Sequence, residues 1–251
     1  MLGKIIKYDM KDGWRKLGPL YGLTLAMALV LGLSGKFAPS GGLNTMAIIG
    51  YTVFATAVGI MTIVYIVSVY RKNLLGDQAH FTLTLPVEIS TQIWGKLISS
   101  FLWLTISKVF GFLSILVIAA PELNDVKMDV NYKDVMRALK ELHIQEQGRI
   151  AAILLSAIAL AIVGYFVLII TIYAALTIGH LASSHRGLIS VAAAFALLVC
   201  ELIIAVKVID TVGFTGRGAM EIVIPLLVGA AMFAGLFLLT DYLMRNKLNL
   251  E

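Results

Sequence analysis

Apolar and polar residues alternate along this chain in long segments. A polar, basic stretch at residues 1–17 precedes six apolar runs, at about 18–34, 45–70, 97–120, 150–178, 187–206 and 222–243. Because a helix needs about 20 apolar residues to cross a membrane, the pattern predicts an all-α polytopic membrane protein with six transmembrane helices in residues 18–251. Of the 251 residues, 59% are hydrophobic and 14% charged, whereas soluble domains carry about 25% charged residues. The composition therefore excludes a soluble protein.

Residues 1–17 have the pattern of an amphipathic helix. At about 100° per residue, the apolar side chains fall on one face: Leu2, Ile6, Met10, Trp14 and Leu17. Basic side chains fall on the opposite face: Lys4, Lys7, Lys11 and Arg15. This pattern predicts an interfacial helix that contacts anionic membrane lipids. Since proline suits the first turn of a helix, Pro19 predicts that the first spanning helix starts there.

Positive charge sets the expected orientation of the chain. With the N-terminus in the cytoplasm, the inner segments carry 11 basic and 6 acidic residues, and the outer loops carry 8 of each. The formal net charge of +5 then lies on the inner side, as expected for membrane proteins. Both termini are thus predicted to be cytoplasmic, and no nucleic acid is needed to explain the basic charge.

Two outer segments have recognisable patterns. The longest, 121–149, contains helical apolar spacing over 133–143, which predicts a short amphipathic helix. The segment 207–221 contains Gly213, Gly216 and Gly218. Because non-helical backbone at membrane depth needs protein or water to satisfy it, this glycine-rich segment predicts a short re-entrant excursion.

Two ionisable residues, Lys108 and Glu201, lie deep in the apolar runs. A charge at the bilayer centre costs at least about 2.5–3.5 kcal/mol and normally has a partner. Their depths along the third and fifth runs agree, so we expect an ion pair, within one subunit or across a dimer. A structural role and a role in substrate passage both remain open.

The remaining candidate chemistry is sparse. The lone Cys200 excludes an internal disulfide and is expected to be a small buried apolar residue. His180 and His185 are expected to be loop residues, so no metal site is predicted. The chain contains no G-x-x-x-x-G-K-[ST], H-E-x-x-H or G-x-S-x-G motif, which argues against an ATPase, a zinc protease or a serine hydrolase of those types.

The segment 71–96, RKNLLGDQAHFTLTLPVEISTQIWGK, has the most distinctive pattern. Arg71 and Lys72 end the second apolar run, and Gly76-Asp77 breaks the helix. Pro86 predicts a new helix near Pro86-Val87-Glu88, and Lys96 marks its expected entry into lipid. A loop with this much apolar character predicts a docking surface for a second protein. Its expected docking residues are Asn73, Leu74, Leu75, Gly76, Asp77, Phe81, Leu83, Leu85, Pro86 and Glu88.

The runs Arg71 to Asp77 and Phe81 to Pro86, with the six-span plan, resemble the ABC-2 type permease family, especially small Gram-positive exporter permeases. The resemblance implies that residues 1–17 are a connecting helix and residues 73–92 a coupling segment in a groove of a separate ATPase. It further implies a permease pair, expected to be a homodimer, on an ATPase dimer that holds ATP and Mg²⁺. This chain would bind no cofactor, catalyse no reaction, and export amphipathic peptides, such as toxins or bacteriocins, across the bacterial plasma membrane.

Three alternatives remain open. A secondary carrier could use Lys108 and Glu201 as an ion relay, although such carriers often show internal repeats and none is evident here. An exporter could move a small drug or a lipid-like cargo. A protein without transport activity, such as a sensor partner, is disfavoured by the patterned 71–96 segment.

Overall fold

The computed structural model describes residues 2–76, 88–123, 144–182, 185–212 and 220–246. The regular elements in these ranges are helical. They are α1 Leu2–Phe37, α2 Gly42–Tyr70, α3 Ile89–Leu123, α4 Ile144–His180, α5 Arg186–Val212 and α6 Met220–Asn246. Among the described residues, six helices are long and apolar enough to cross a membrane. The prediction of a polytopic helical membrane protein is confirmed at that level.

The first helix differs from the expectation. The predicted helix start near Pro19 is wrong, because α1 runs unbroken from Leu2 to Phe37 with Pro19 inside it. The interfacial position of residues 1–17 stays a prediction. Its buried side recurs at helical spacing across that point, through Asp9, Gly13, Leu17 and Tyr21. Packing along this continuous stripe stabilises one helix, and a proline inside a spanning helix is tolerated when its surroundings satisfy the backbone.

The chain divides into two compact units, and each is described by itself. The second unit comprises Lys7–Tyr65 and Leu102–Ile150. Its described helices are joined by aromatic stacking and by hydroxyl groups. Tyr21 of α1 stacks on Phe110 of α3 with 4.5 Å between ring centroids. The Ser107 hydroxyl of α3 lies 2.7 Å from the Tyr21 hydroxyl and 2.8 Å from that of Thr62 on α2. Such side chains hold helices together where the surroundings are apolar.

The first unit comprises Met1–Ile6, Ile66–Phe101 and Ala151–Glu251. Helix α4 supplies much of its buried side, including Ile169, Ile170, Tyr173 and Ala174. Helix α5 differs, since none of its side chains is buried. The expectation of a buried cysteine is wrong for this reason, because Cys200 lies on α5 and is exposed.

Several predictions concern residues outside the described ranges. They include the middle of the 71–96 segment (residues 77–87), most of the outer loop (124–143) and the glycine-rich core of the predicted re-entrant segment (213–219). Those predictions stay predictions. At the flanks of the last segment, residues 207–212 continue α5 and Met220 begins α6.

Candidate functional site

The 71–96 segment begins on a short turn of π-helix. This turn, Arg71–Leu75, continues α2 and ends at the extended Gly76. Arg71 and Lys72 are exposed, but Leu74 and Leu75 are only 1% and 4% exposed. The structure thus corrects the expectation that these two leucines form a docking surface. As buried apolar side chains they fix the start of the segment to the first unit.

The residue before that turn, Tyr70, is also buried and packs against α4. Its ring stacks on Tyr173 with 3.9 Å between centroids. The Thr177 hydroxyl donates to the Tyr173 carbonyl, so the Tyr70 hydroxyl donates to the Thr177 oxygen, 2.9 Å away. The Tyr70 hydroxyl also lies 3.4 Å from the Met244 sulfur of α6. The end of α2 is therefore fixed to α4 and α6.

Helix α3 holds the other end of the segment. It begins at Ile89, close to the predicted start, and the Glu88 carbonyl accepts hydrogen bonds from the N–H groups of Thr91 and Gln92. Lys96, expected where the helix enters lipid, is only 5% exposed. Lys96 therefore lies inside the first unit, and its backbone is bound to α4, because the Tyr173 hydroxyl donates to the Lys96 carbonyl at 3.0 Å.

Aromatic packing fixes the first turns of α3 to α6. The Trp94 ring lies 5.6 Å from the Phe233 ring and 5.3 Å from the Phe237 ring, between centroids. The segment therefore has both described ends packed in the same unit. Five expected docking residues, Asp77, Phe81, Leu83, Leu85 and Pro86, lie outside the described ranges. Sequence reasoning missed Tyr70 and Tyr173, although two tyrosines near helix ends were a visible signal.

A groove of about 790 Å³ lies elsewhere in the first unit, between α4, α5 and α6. Its wall is mainly apolar, with side chains that include Leu160, Leu168, Leu202, Ile209, Val228 and Met232. Among the described residues of its wall, Glu201 is the one with a charged side chain. Helices α4 and α6 approach closely beside it, because a Cβ at Gly229 would lie 2.7 Å from a methyl carbon of Val163.

The Glu201 carboxylate is hydrogen-bonded to the Thr171 hydroxyl of α4. The same hydroxyl lies 2.8 Å from the Val167 carbonyl, one turn earlier. A threonine has a single hydroxyl proton. When Glu201 is ionised, the Thr171 hydroxyl can donate this proton to the carboxylate. When Glu201 is protonated, the Thr171 hydroxyl can donate to the Val167 carbonyl instead and accept a hydrogen bond from the Glu201 carboxyl group. Thr171 was not singled out from the sequence, because a threonine in an apolar run carries no distinguishing pattern.

The predicted partner of Glu201, Lys108, is exposed on α3 and belongs to the second unit. The ion pair between them stays a prediction. The expected interfacial residues Lys4, Lys7, Lys11, Trp14 and Arg15 are all exposed on α1. Trp14 is 55% exposed, and its ring lies 6.4 Å from that of Phe110. This arrangement leaves their basic groups free to contact lipid headgroups.

The two histidines of interest flank the connection between α4 and α5. His180 ends α4, and His185 precedes α5 with a φ of 53°. Within the described parts of the chain, no cluster of three or more His, Cys, Asp or Glu side chains could hold a metal ion. The candidate sites are thus the anchored 71–96 segment and the groove that contains Glu201.

Comparison with known proteins adds no assignment. No protein-family model, curated protein or solved structure matches this chain.

Proposed function

We propose that this chain is the permease subunit of an ATP-driven, ABC-type exporter in the bacterial plasma membrane. Six helices long enough to span a membrane, the excess of positive charge on one predicted side, and the likeness of residues 71–86 to ABC-2 permeases support this function. A separate ATPase dimer binds ATP and Mg²⁺, and a second copy of this chain completes the exporter.

The observation that carries the proposal is the fixation of both ends of the 71–96 segment. Leu74, Leu75 and the Tyr70–Tyr173 stack hold one end, and Trp94 holds the other. A force applied to the middle of such a segment moves α2 and α3 together with α4 and α6. This is the mechanical property that a coupling segment needs, since the motion of an ATPase must reach the helices along which cargo passes.

Co-purification tests the proposal. The chain is co-expressed with the ATPase encoded by the neighbouring reading frame, and the ATPase recovered on a tag on the permease is quantified. Phe81→Asp or Leu83→Asp places an unpaired charge in the apolar docking surface, which costs several kcal/mol. Recovery should therefore fall by at least about tenfold.

Ser40→Asp is the matched control, because it adds the same charge at an exposed position in the turn between α1 and α2. It should leave recovery unchanged, and all variants should elute as single species in gel filtration. Absence of a neighbouring ATPase, or full recovery with both docking variants, would contradict the proposal. Amphipathic peptides that stimulate ATP hydrolysis by the complex would identify the expected cargo.

The secondary carrier is the second candidate, and one observation favours it. The Thr171 hydroxyl lies between Glu201 and the Val167 carbonyl, so it can form a hydrogen bond with Glu201 whether that side chain is ionised or protonated. A carrier of this kind would move cargo in proteoliposomes under a proton gradient without any ATPase. Transport that persists without ATPase and is lost in Glu201→Gln would favour the carrier over the exporter.

A further inference from the structure

We propose that the groove between α4, α5 and α6 binds a cationic amphiphile, with the ammonium group at Glu201 and the hydrocarbon chain along the apolar wall. This assignment deepens the proposed function by naming a cargo class, and in that respect it rests on that function. Binding itself can be measured on the chain alone.

The charge of the groove determines the sign of the ligand. Of the wall residues that the structure describes, Glu201 is the one that carries a charge, and a carboxylate has about four acceptor positions. The described residues give it one hydrogen bond, from Thr171. In apolar surroundings an ionised carboxylate needs a cation, and an ammonium group supplies both the charge and up to three donors. A ligand with a phosphate or carboxylate head would be repelled.

The size and the apolar wall of the groove determine which apolar part of a ligand can fit. Its volume of about 790 Å³ lies within the range of about 300–1,000 Å³ typical of small-molecule sites. Leu198, Glu201, Leu202, Ala205 and Ile209 of the wall share one face of α5. From Glu201 to Ile209 this face extends roughly 12 Å at about 1.5 Å per residue. A ligand whose ammonium group lies at Glu201 can therefore place its hydrocarbon chain along this apolar face of α5.

The binding experiment uses the protein in phosphatidylcholine nanodiscs and radiolabelled dodecylammonium. Scintillation proximity reports bound probe, and empty nanodiscs give the background from partition into lipid. Binding to the wild type should saturate. Unlabelled dodecylammonium should compete at least about tenfold better than dodecanol, because a hydrogen bond to a charged group is the stronger one. Dodecyl sulfate should not compete better than dodecanol.

Two substitutions in α5 test whether the Glu201 carboxylate itself binds the probe, as opposed to any loss of negative charge on this helix. Glu201→Gln should weaken dodecylammonium binding by at least about tenfold and leave competition by dodecanol unchanged. Asp210→Asn removes an exposed carboxylate outside the groove wall, so its affinity should stay within about twofold of wild type. Equal competition by the alcohol, absence of saturable binding, or wild-type binding by Glu201→Gln would overturn the proposal. The headgroup comparison needs no variant and so stands even if a variant misfolds.

A second measurement on the complex with the ATPase separates this inference from the proposed function. Dodecylammonium should stimulate ATP hydrolysis with the wild type and not with Glu201→Gln. If the ATPase associates but hydrolysis is not stimulated, the cargo assignment is overturned and the exporter stands. If no ATPase associates while binding that depends on Glu201 persists, the exporter fails and the binding site stands.

Discussion

At the scale of single residues, the absence of a side chain determines how closely helices pack. In the second unit, a Cβ at Gly13 of α1 would overlap the indole ring of Trp103 on α3. That indole is buried and packs edge-on against Tyr65, with 5.8 Å between centroids. The Tyr65 hydroxyl in turn donates to the Asp9 carbonyl of α1 at 2.8 Å. Gly13 is therefore where α1 packs closely against α3, and Tyr65 of α2 contacts both of these helices nearby.

Replacing this glycine should destabilise the protein. Gly13→Ala forces a rigid buried ring to move, and overpacking of this kind costs about 1–3 kcal/mol. Gly22→Ala is the matched control on α1, because its Cβ would meet nothing within 4 Å. Alanine favours a helix over glycine by up to about 1 kcal/mol. Thermal unfolding in detergent should show a lower midpoint for Gly13→Ala and an equal or higher one for Gly22→Ala. Equal midpoints for the two variants would contradict this packing.

At the scale of whole helices, Tyr173 makes α4 the element that joins the end of α2 to the start of α3. Its ring stacks on Tyr70. Its hydroxyl donates to the Lys96 carbonyl at 3.0 Å, and the Ser100 hydroxyl lies 2.7 Å away. The Tyr70 hydroxyl, by comparison, lies 2.9 Å from the Thr177 hydroxyl of α4 and 3.4 Å from the Met244 sulfur of α6. The two tyrosines are thus similar in burial but not in the strength of their hydrogen bonds, because a thioether sulfur is a weak acceptor.

This difference predicts unequal effects for two matched variants. Tyr173→Phe keeps the stack but removes the hydrogen bonds to α3, which should cost about 1–3 kcal/mol because buried partners lose their bond. Tyr70→Phe also keeps the stack, and the Thr177 hydroxyl still donates to its backbone partner. Its cost should be near 1 kcal/mol or less. Unfolding midpoints measured side by side test the order, and a Tyr70→Phe loss equal to or greater than that of Tyr173→Phe would refute it.

At the scale of the whole molecule, the spans were predictable and the contacts between them were not. Each of the six spans can be recognised from the length of its own apolar run, without knowing which helices it packs against. Hydropathy locates a helix only where it is apolar, so the polar first turns of α3 were predicted from Pro86 and not from the apolar run, and the burial of Lys96 was missed. It also treated Pro19 as a start, because a buried stripe that continues across a proline is visible only when its partner helices are known.

The candidate sites show the same limit. The sequence marked the 71–96 segment and Glu201 because charge and turn residues are conspicuous in an apolar chain. It could not show that Leu74 and Leu75 face inward, since an apolar side chain beside a loop can dock a partner or anchor the loop. Thr171 was equally hidden, because its importance comes from the carboxylate on another helix.

Orientation is the remaining property of the whole molecule, and it decides whether a cytoplasmic ATPase can reach the 71–96 segment. The positive-inside distribution predicts that the α1–α2 turn is outside and the α4–α5 connection inside. Cys200 is exposed and is first replaced by serine. Single cysteines are then introduced as Ser40→Cys and Arg186→Cys, both at exposed positions. A membrane-impermeant maleimide should label the first in intact cells and the second only in opened membranes, with a cytosolic protein as the control for leakage. The reverse pattern would place the 71–96 segment outside, where no ATP-driven subunit could act on it, and would exclude the proposed exporter.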